Sequence, residues 1–166
     1  MLKGWKRLSF EANDFFIDRS RSLCEKIVAQ KFDDEYICHS MEVYSQTVDV
    51  KGKNYKVLLL GKHCKTHDFK CFTSCIWYPE GPIPQPELKE ETFKAIDGTA
   101  CTLTDDKKVK LKNSVKNYFR EEKEYTPVKF FENALEGANV YVLKVGEHYV
   151  CAYEVGDNIE IDCILN

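Results

Sequence analysis

His63, Cys64, His67, Cys71 and Cys75 crowd into one short stretch of the chain. Their types are those of a zinc site, and Cys64-x2-His67-x3-Cys71-x3-Cys75 has ligand-like spacing. Strand geometry argues the other way. If residues 69–78 are extended, Cys71 and Cys75 share a face about 13 Å apart. Two sulfurs on one zinc, with Zn–S bonds of about 2.3 Å, lie about 4 Å apart. The expectation is therefore no metal and no cofactor, with Cys64, His67 and Cys71 around the turn as the weak candidates.

Nucleophilic chemistry has two candidate thiols. Cys64 adjoins His63, and Cys101 follows Asp97-Gly-Thr-Ala outside the main apolar runs. An imidazole beside a thiol can activate it, but neighbouring residues of a strand point to opposite faces. His148 sits at a turn signal. The sequence has no Gly-rich phosphate loop, no Gly-x-Ser-x-Gly, no His-Glu-x-x-His and no paired His-x-Thr motif. Catalysis is not the favoured reading. A small Cys/His-dependent hydrolase or nuclease stays as an alternative.

The elements that must position these groups follow from periodicity. Residues 55–79 are the most apolar stretch and read as a central hairpin. Before it, Phe16, Leu23, Cys24, Ile27 and Val28 recur at helical spacing from about Asn13 to Phe32, with Asn13 or Asp14 as N-cap. Asp33-Asp34-Glu35 stops that helix. Tyr36–Val50 reads as a strand and Val50–Asn54 as a turn. The first helix is expected to cover Leu58, Leu60, Ile76 and Trp77 with Leu23 and Ile27.

Pro79–Pro86 holds four prolines and a glycine, which ends a ladder and makes a stiff linker. Helices are then expected over Pro86–Ile96, Asp105–Glu124 and Thr126–Gly137, the last capped by Thr126 with Pro127 after it. In the second, Val109, Val115, Tyr118 and Phe119 should face inward. Strands return at 139–145, 148–155 and 158–165, joined by Gly146-Glu147 and Gly156-Asp157. Strands and helices in blocks specify an α+β fold, with an N-terminal helix on an antiparallel meander, a middle helical block and a C-terminal three-stranded meander. At 166 residues the chain is read as a single globular domain. A helix, a meander, Tyr78-Pro79 with further prolines, and Gly98-Thr-Ala-Cys101 together resemble ubiquitin-conjugating enzymes. The resemblance implies a cysteine nucleophile at Cys101. The chain departs from that family in lacking His-Pro-Asn before Cys101 and a tryptophan after it.

No apolar run approaches the roughly 20 residues of a membrane helix, and Met1-Leu-Lys-Gly-Trp-Lys-Arg lacks the apolar core of an export signal. A cytoplasmic location follows as the expectation, with no membrane partner. The eight cysteines are then expected to be reduced and mostly buried.

Charge is unevenly placed. Residues 132–166 carry seven acids and one base, a net −6, whereas the whole chain is at −3. A run of Lys107, Lys108, Lys110, Lys112, Lys116, Arg120 and Lys123 is basic. A pI near 5.9 speaks against nucleic acid as partner. The favoured function is a non-enzymatic cytosolic binding protein that neutralises a partner, in the manner of toxin-immunity or phage anti-defence inhibitors. The partner would be another protein, and a basic one. Its contact would be Glu147, Glu154, Asp157, Glu160 and Asp162, with Tyr141, Tyr149 and Tyr153 as anchors. The alternative is a sponge for a small nucleotide, which needs a concave pocket with aromatic and basic groups.

Overall fold

The computed structural model describes residues 5–7, 14–47, 51–82 and 85–165. The expected N-cap Asn13 lies outside them. The fold is α+β, with two helices and two antiparallel sheets among the described residues. No described helix is long and apolar enough to cross a membrane. The chain groups into two compact units, Met1–Ile96 and Asp97–Asn166.

The first unit runs β1 (Lys6–Arg7), α1 (Asp14–Phe32), β2 (Tyr36–Thr47), β3 (Gly52–His63), β4 (Phe69–Pro79) and β5 (Glu87–Asp97), with the strands in that order across one sheet. Asp33 and Asp34, at φ 53° and 58°, end α1 in the left-handed region. That conformation suits Asp, whose short side chain bonds locally. β2 carries a bulge between Cys38 and Met41, so two residues oppose Leu60. The bulge shifts the face of everything before it: Cys38 packs with Val43, and Ile37 is 54% exposed. The Arg21 guanidinium donates to the carbonyls of Cys38 and His39 at 2.9 and 2.7 Å, pairing groups the bulge would otherwise orphan.

Helix α1 covers one face of the sheet. Cys24 Sγ meets Ser74 Oγ at 2.9 Å, and Ser20 Oγ meets the Tyr78 hydroxyl at 3.0 Å. Cys24, Val43, Tyr55, Val57, Leu59, Ile76 and Tyr78 form the core beneath it. Leu58 and Leu60 pair with Thr73 and Cys71 and are buried on the other face. The expectation that they pack under α1 was out by one residue, which in a strand reverses the side.

Glu87–Asp97 is strand β5 beside β4, where a helix was expected. Its Glu, Lys and Leu content favours helix, but sheet pairing overrides weak intrinsic propensity. The proline-rich segment thus ends β4 but not the sheet. Thr92 marks the contact: its hydroxyl accepts from Cys75 N–H at 2.8 Å.

The second unit runs α2 (Asp105–Phe119), β6 (Thr126–Leu135), β7 (Ala138–Val145), β8 (His148–Val155) and β9 (Asn158–Leu165), with the strands again in chain order. Thr104 caps α2, its hydroxyl accepting from Lys107 N–H at 3.3 Å, and Arg120 closes it at φ 60°. Leu111 and Val115 face the sheet, fully buried, while Val109 and Tyr118 are exposed. The expected helix at Thr126–Gly137 is β6. Pro127 sits well there, because β6 is an edge strand with no ladder bond to lose on its open side. Phe130 and Phe131 alternate, one packing with the α2 cluster and the other buried at 1% exposure. The β7–β8 and β8–β9 turns place Gly146 and Gly156 at φ 61° and 62° as the first of two central residues, the position that favours glycine in a tight hairpin.

Candidate functional site

The β3–β4 turn holds the histidine–cysteine cluster. His63 Nδ1 accepts from the backbone N–H of Lys65 and of Thr66, both at 3.1 Å, so the neutral ring carries its proton on Nε2. Nε2 faces Glu35 Oε2 at 3.1 Å, and the ring stands edge-on to Tyr36. His63 is thus a turn cap. Cys64 and His67 are exposed, while Cys71 is buried on β4 opposite Leu60. Among the described residues, no three His, Cys, Asp or Glu side chains are gathered to hold a metal ion.

None of the eight cysteines forms a disulfide. Burial pushes the Cys24 and Cys38 thiols up to about 12, and it raises Cys101 as well. These three are held in the thiol form, which is the poor nucleophile. For Cys101, the nucleophile implied by the ubiquitin-conjugating resemblance, burial shifts the thiol away from the reactive thiolate.

The acidic meander does not make one patch. Glu147 lies in the β7–β8 turn and Asp157 in the β8–β9 turn, at opposite ends of the eight-residue β8. That separation is about 25 Å at the strand rise. Tyr141 and Tyr153 are 3% and 2% exposed, so neither is a surface anchor. Tyr149 is half-buried, with the Lys144 ammonium 5.8 Å from its ring centre. Asp157 and Glu160 are exposed near one end of the sheet, and Asn158 donates to Glu160 at 3.1 Å. Asp162 is half-buried further along edge strand β9.

Glu154, read from sequence as a surface acid, is 3% exposed. Its carboxylate accepts from Asn139 Nδ2 at 2.8 Å and from the Tyr141 hydroxyl at 2.9 Å, and it is ion-paired to Lys107 in the first turn of α2. Burial alone would raise its pKa. The three donors and the Lys107 charge outweigh that and hold it below the ordinary value. The Tyr141 phenol is raised in turn, by burial and by its bond to Glu154. The network pins the start of α2 to β7 and β8.

Beyond that anchor the exposed side of α2 forms one wall of a cleft of about 550 Å³. Lys108, Val109 and Lys112 come from the helix, Cys101 and Leu103 from the loop before it, and Lys123 and Tyr125 from the loop after it. The Tyr125 hydroxyl donates to the Lys108 carbonyl at 2.9 Å, tying the rear loop to the helix. A backbone bridge between Thr99 and Phe130 holds the front loop to β6. The lysine run is visible in the sequence but this concavity is not, because it depends on the loops at the two ends of α2 meeting on one face of the helix. No family model, curated protein or solved structure matches this chain.

Proposed function

We propose that this protein is a non-enzymatic binding protein that neutralises a basic protein partner by occupying it. The observation that carries this is the β8–β9 hairpin, where Asp157 stands exposed in a turn fixed by Gly156 and Glu160 stands exposed on β9 just beyond it. A rigid platform lowers the ordering cost of association, and exposed charges steer encounter. The tied-up roles of His63 and the buried thiols support binding over turnover. With Tyr141 and Tyr153 inside, the contact narrows to Asp157, Glu160 and Asp162. Glu147 and Tyr149, at the far end of β8, fall outside it.

The test is capture of partners from a cell extract with the wild-type chain and with Asp157→Lys/Glu160→Lys. The reading expects a basic protein retained at one-to-one stoichiometry by the wild type, and slowed association with the variant. Identical capture and identical association rates at low salt would remove this surface. The alternative of a nucleotide sponge is favoured by a separate observation, the cleft beside α2.

A further inference from the structure

We propose that the cleft beside α2 binds a small phosphorylated ligand with a flat apolar body, of the nucleoside diphosphate class. This site is distinct from the β8–β9 hairpin, and neither proposal needs the other.

Three features converge there. The first is size: about 550 Å³ falls within the range of small-molecule pockets.

The second is charge. Lys108, Lys112 and Lys123 line the cleft against one acid, Glu124. Other lysines of α2 are matched to carboxylates: Lys107 to Glu154, Lys110 to Asp106 at 3.5 Å and Lys116 to Glu122 at 3.7 Å. Among the described residues, Lys108 and Lys112 have no such partner. They stand four apart on one helix, an arrangement of like charges that is unfavourable until an anion screens it. Lys123 adds a third ammonium from across the cleft, already drawn to Glu121 at 2.9 Å.

The third is the apolar wall. Val109 is 59% exposed, a poor position for a β-branched apolar residue on a helix, and it borders the same cleft as the Tyr125 ring. The Tyr125 hydroxyl is committed to the Lys108 carbonyl and the side chain packs against the core cluster, so its place on the cleft wall is fixed. Phosphate alone would use the lysines and waste this wall. A base with one or two phosphates uses both. A long nucleic acid would need the basic surface to continue beyond the cleft, whereas Lys110 and Lys116 are neutralised by their own acids.

Calorimetric titration of the full chain with ADP, GDP and UDP tests this, with inorganic phosphate and adenosine as partial probes. At least one diphosphate should bind one-to-one, with each partial probe weaker by about tenfold or more. Lys108→Gln/Lys112→Gln should weaken it by about tenfold, and Lys116→Gln should not. Circular dichroism checks that α2 survives. In the wild-type chain, bound nucleotide should also slow alkylation of Cys101, read by peptide mass spectrometry, because that thiol lies on the cleft wall. The proposal is overturned if no diphosphate binds below about 1 mM. It is overturned equally if phosphate alone accounts for the affinity, if the double variant binds as the wild type does, or if Cys101 is not protected. A short RNA that binds through the same lysines more tightly than any free nucleotide would also overturn it.

Discussion

Replacing Glu154 with Ala should be among the most damaging single changes in the second unit. The side chain is 3% exposed and satisfies three donors, from Lys107, Asn139 and Tyr141. Removal leaves the Tyr141 hydroxyl, which is itself buried, without an acceptor, at about 1–3 kcal/mol. Lys107 is 32% exposed, so its ammonium rehydrates and contributes less than a buried charge would. Asn139 is half-buried and partly recovers. The sum is a loss of about 2–4 kcal/mol. Urea denaturation of the full chain measures it. Hydrogen exchange at the β7 and β8 amides assigns the loss to this unit, which matters because two units need not unfold together. The pH dependence gives a second reading. Because the folded-state pKa is depressed, Glu154 stabilises fully above the ordinary carboxylate value of 4.5, and the contribution is lost as pH falls through the folded value. Glu154→Gln should therefore flatten the acid limb of the stability curve while leaving the shape of the site. A loss below about 1 kcal/mol for Glu154→Ala, with an unchanged acid limb, would show that water already serves these donors and that the network does not anchor α2.

Two further outcomes follow from the packing. Leu59→Ala, at a fully buried position in the core beneath α1, should cost about 2–5 kcal/mol by denaturation, whereas Ile37→Ala, on the exposed side of the β2 bulge, should cost under about 0.5 kcal/mol. Native-state alkylation should modify the exposed Cys64 first and spare Cys24, Cys71 and Cys151, and a chelator should leave the unfolding transition where it was. Slow labelling of Cys64, or a transition lowered by chelator, would contradict the description of the β3–β4 turn.

Sequence pattern was most informative where local chemistry is strong. The glycine turns at 146 and 156 located the last three strands almost to the residue, and Asp33-Asp34 marked the end of α1. It failed where distant pairing decides. Glu87–Asp97 is rich in helix formers, and only β4 beside it makes it a strand. Thr126-Pro127 is a helix start and equally an edge-strand start, and the alternating Phe130 and Phe131 carried the correct signal. The bulge at Cys38–Met41 left no mark that a period-two count could use: such a count puts Ile37 on the face of Val43, and the bulge moves it off that face to 54% exposure. Glu154 shows the same limit at the candidate surface. An acid between Tyr153 and Val155 looks solvated until Lys107, 47 positions away, is brought against it.

The borders of the two sheets bear on how a partner could be held. Among the described residues β1 covers two positions, and β5 displays Glu90, Glu91 and Lys94 to solvent. β6 carries Pro127 as its second residue and breaks register before Leu135, and β9 carries Glu160 and a register break of its own. Each is a known obstacle to another strand adding on. Recruitment by backbone pairing, the mode that reads little sequence and invites self-association, is therefore disfavoured at β5, β6 and β9. For the binding role proposed above, recognition would then rest on side chains, with selectivity that changes with single charges more than with the conformation of an incoming segment.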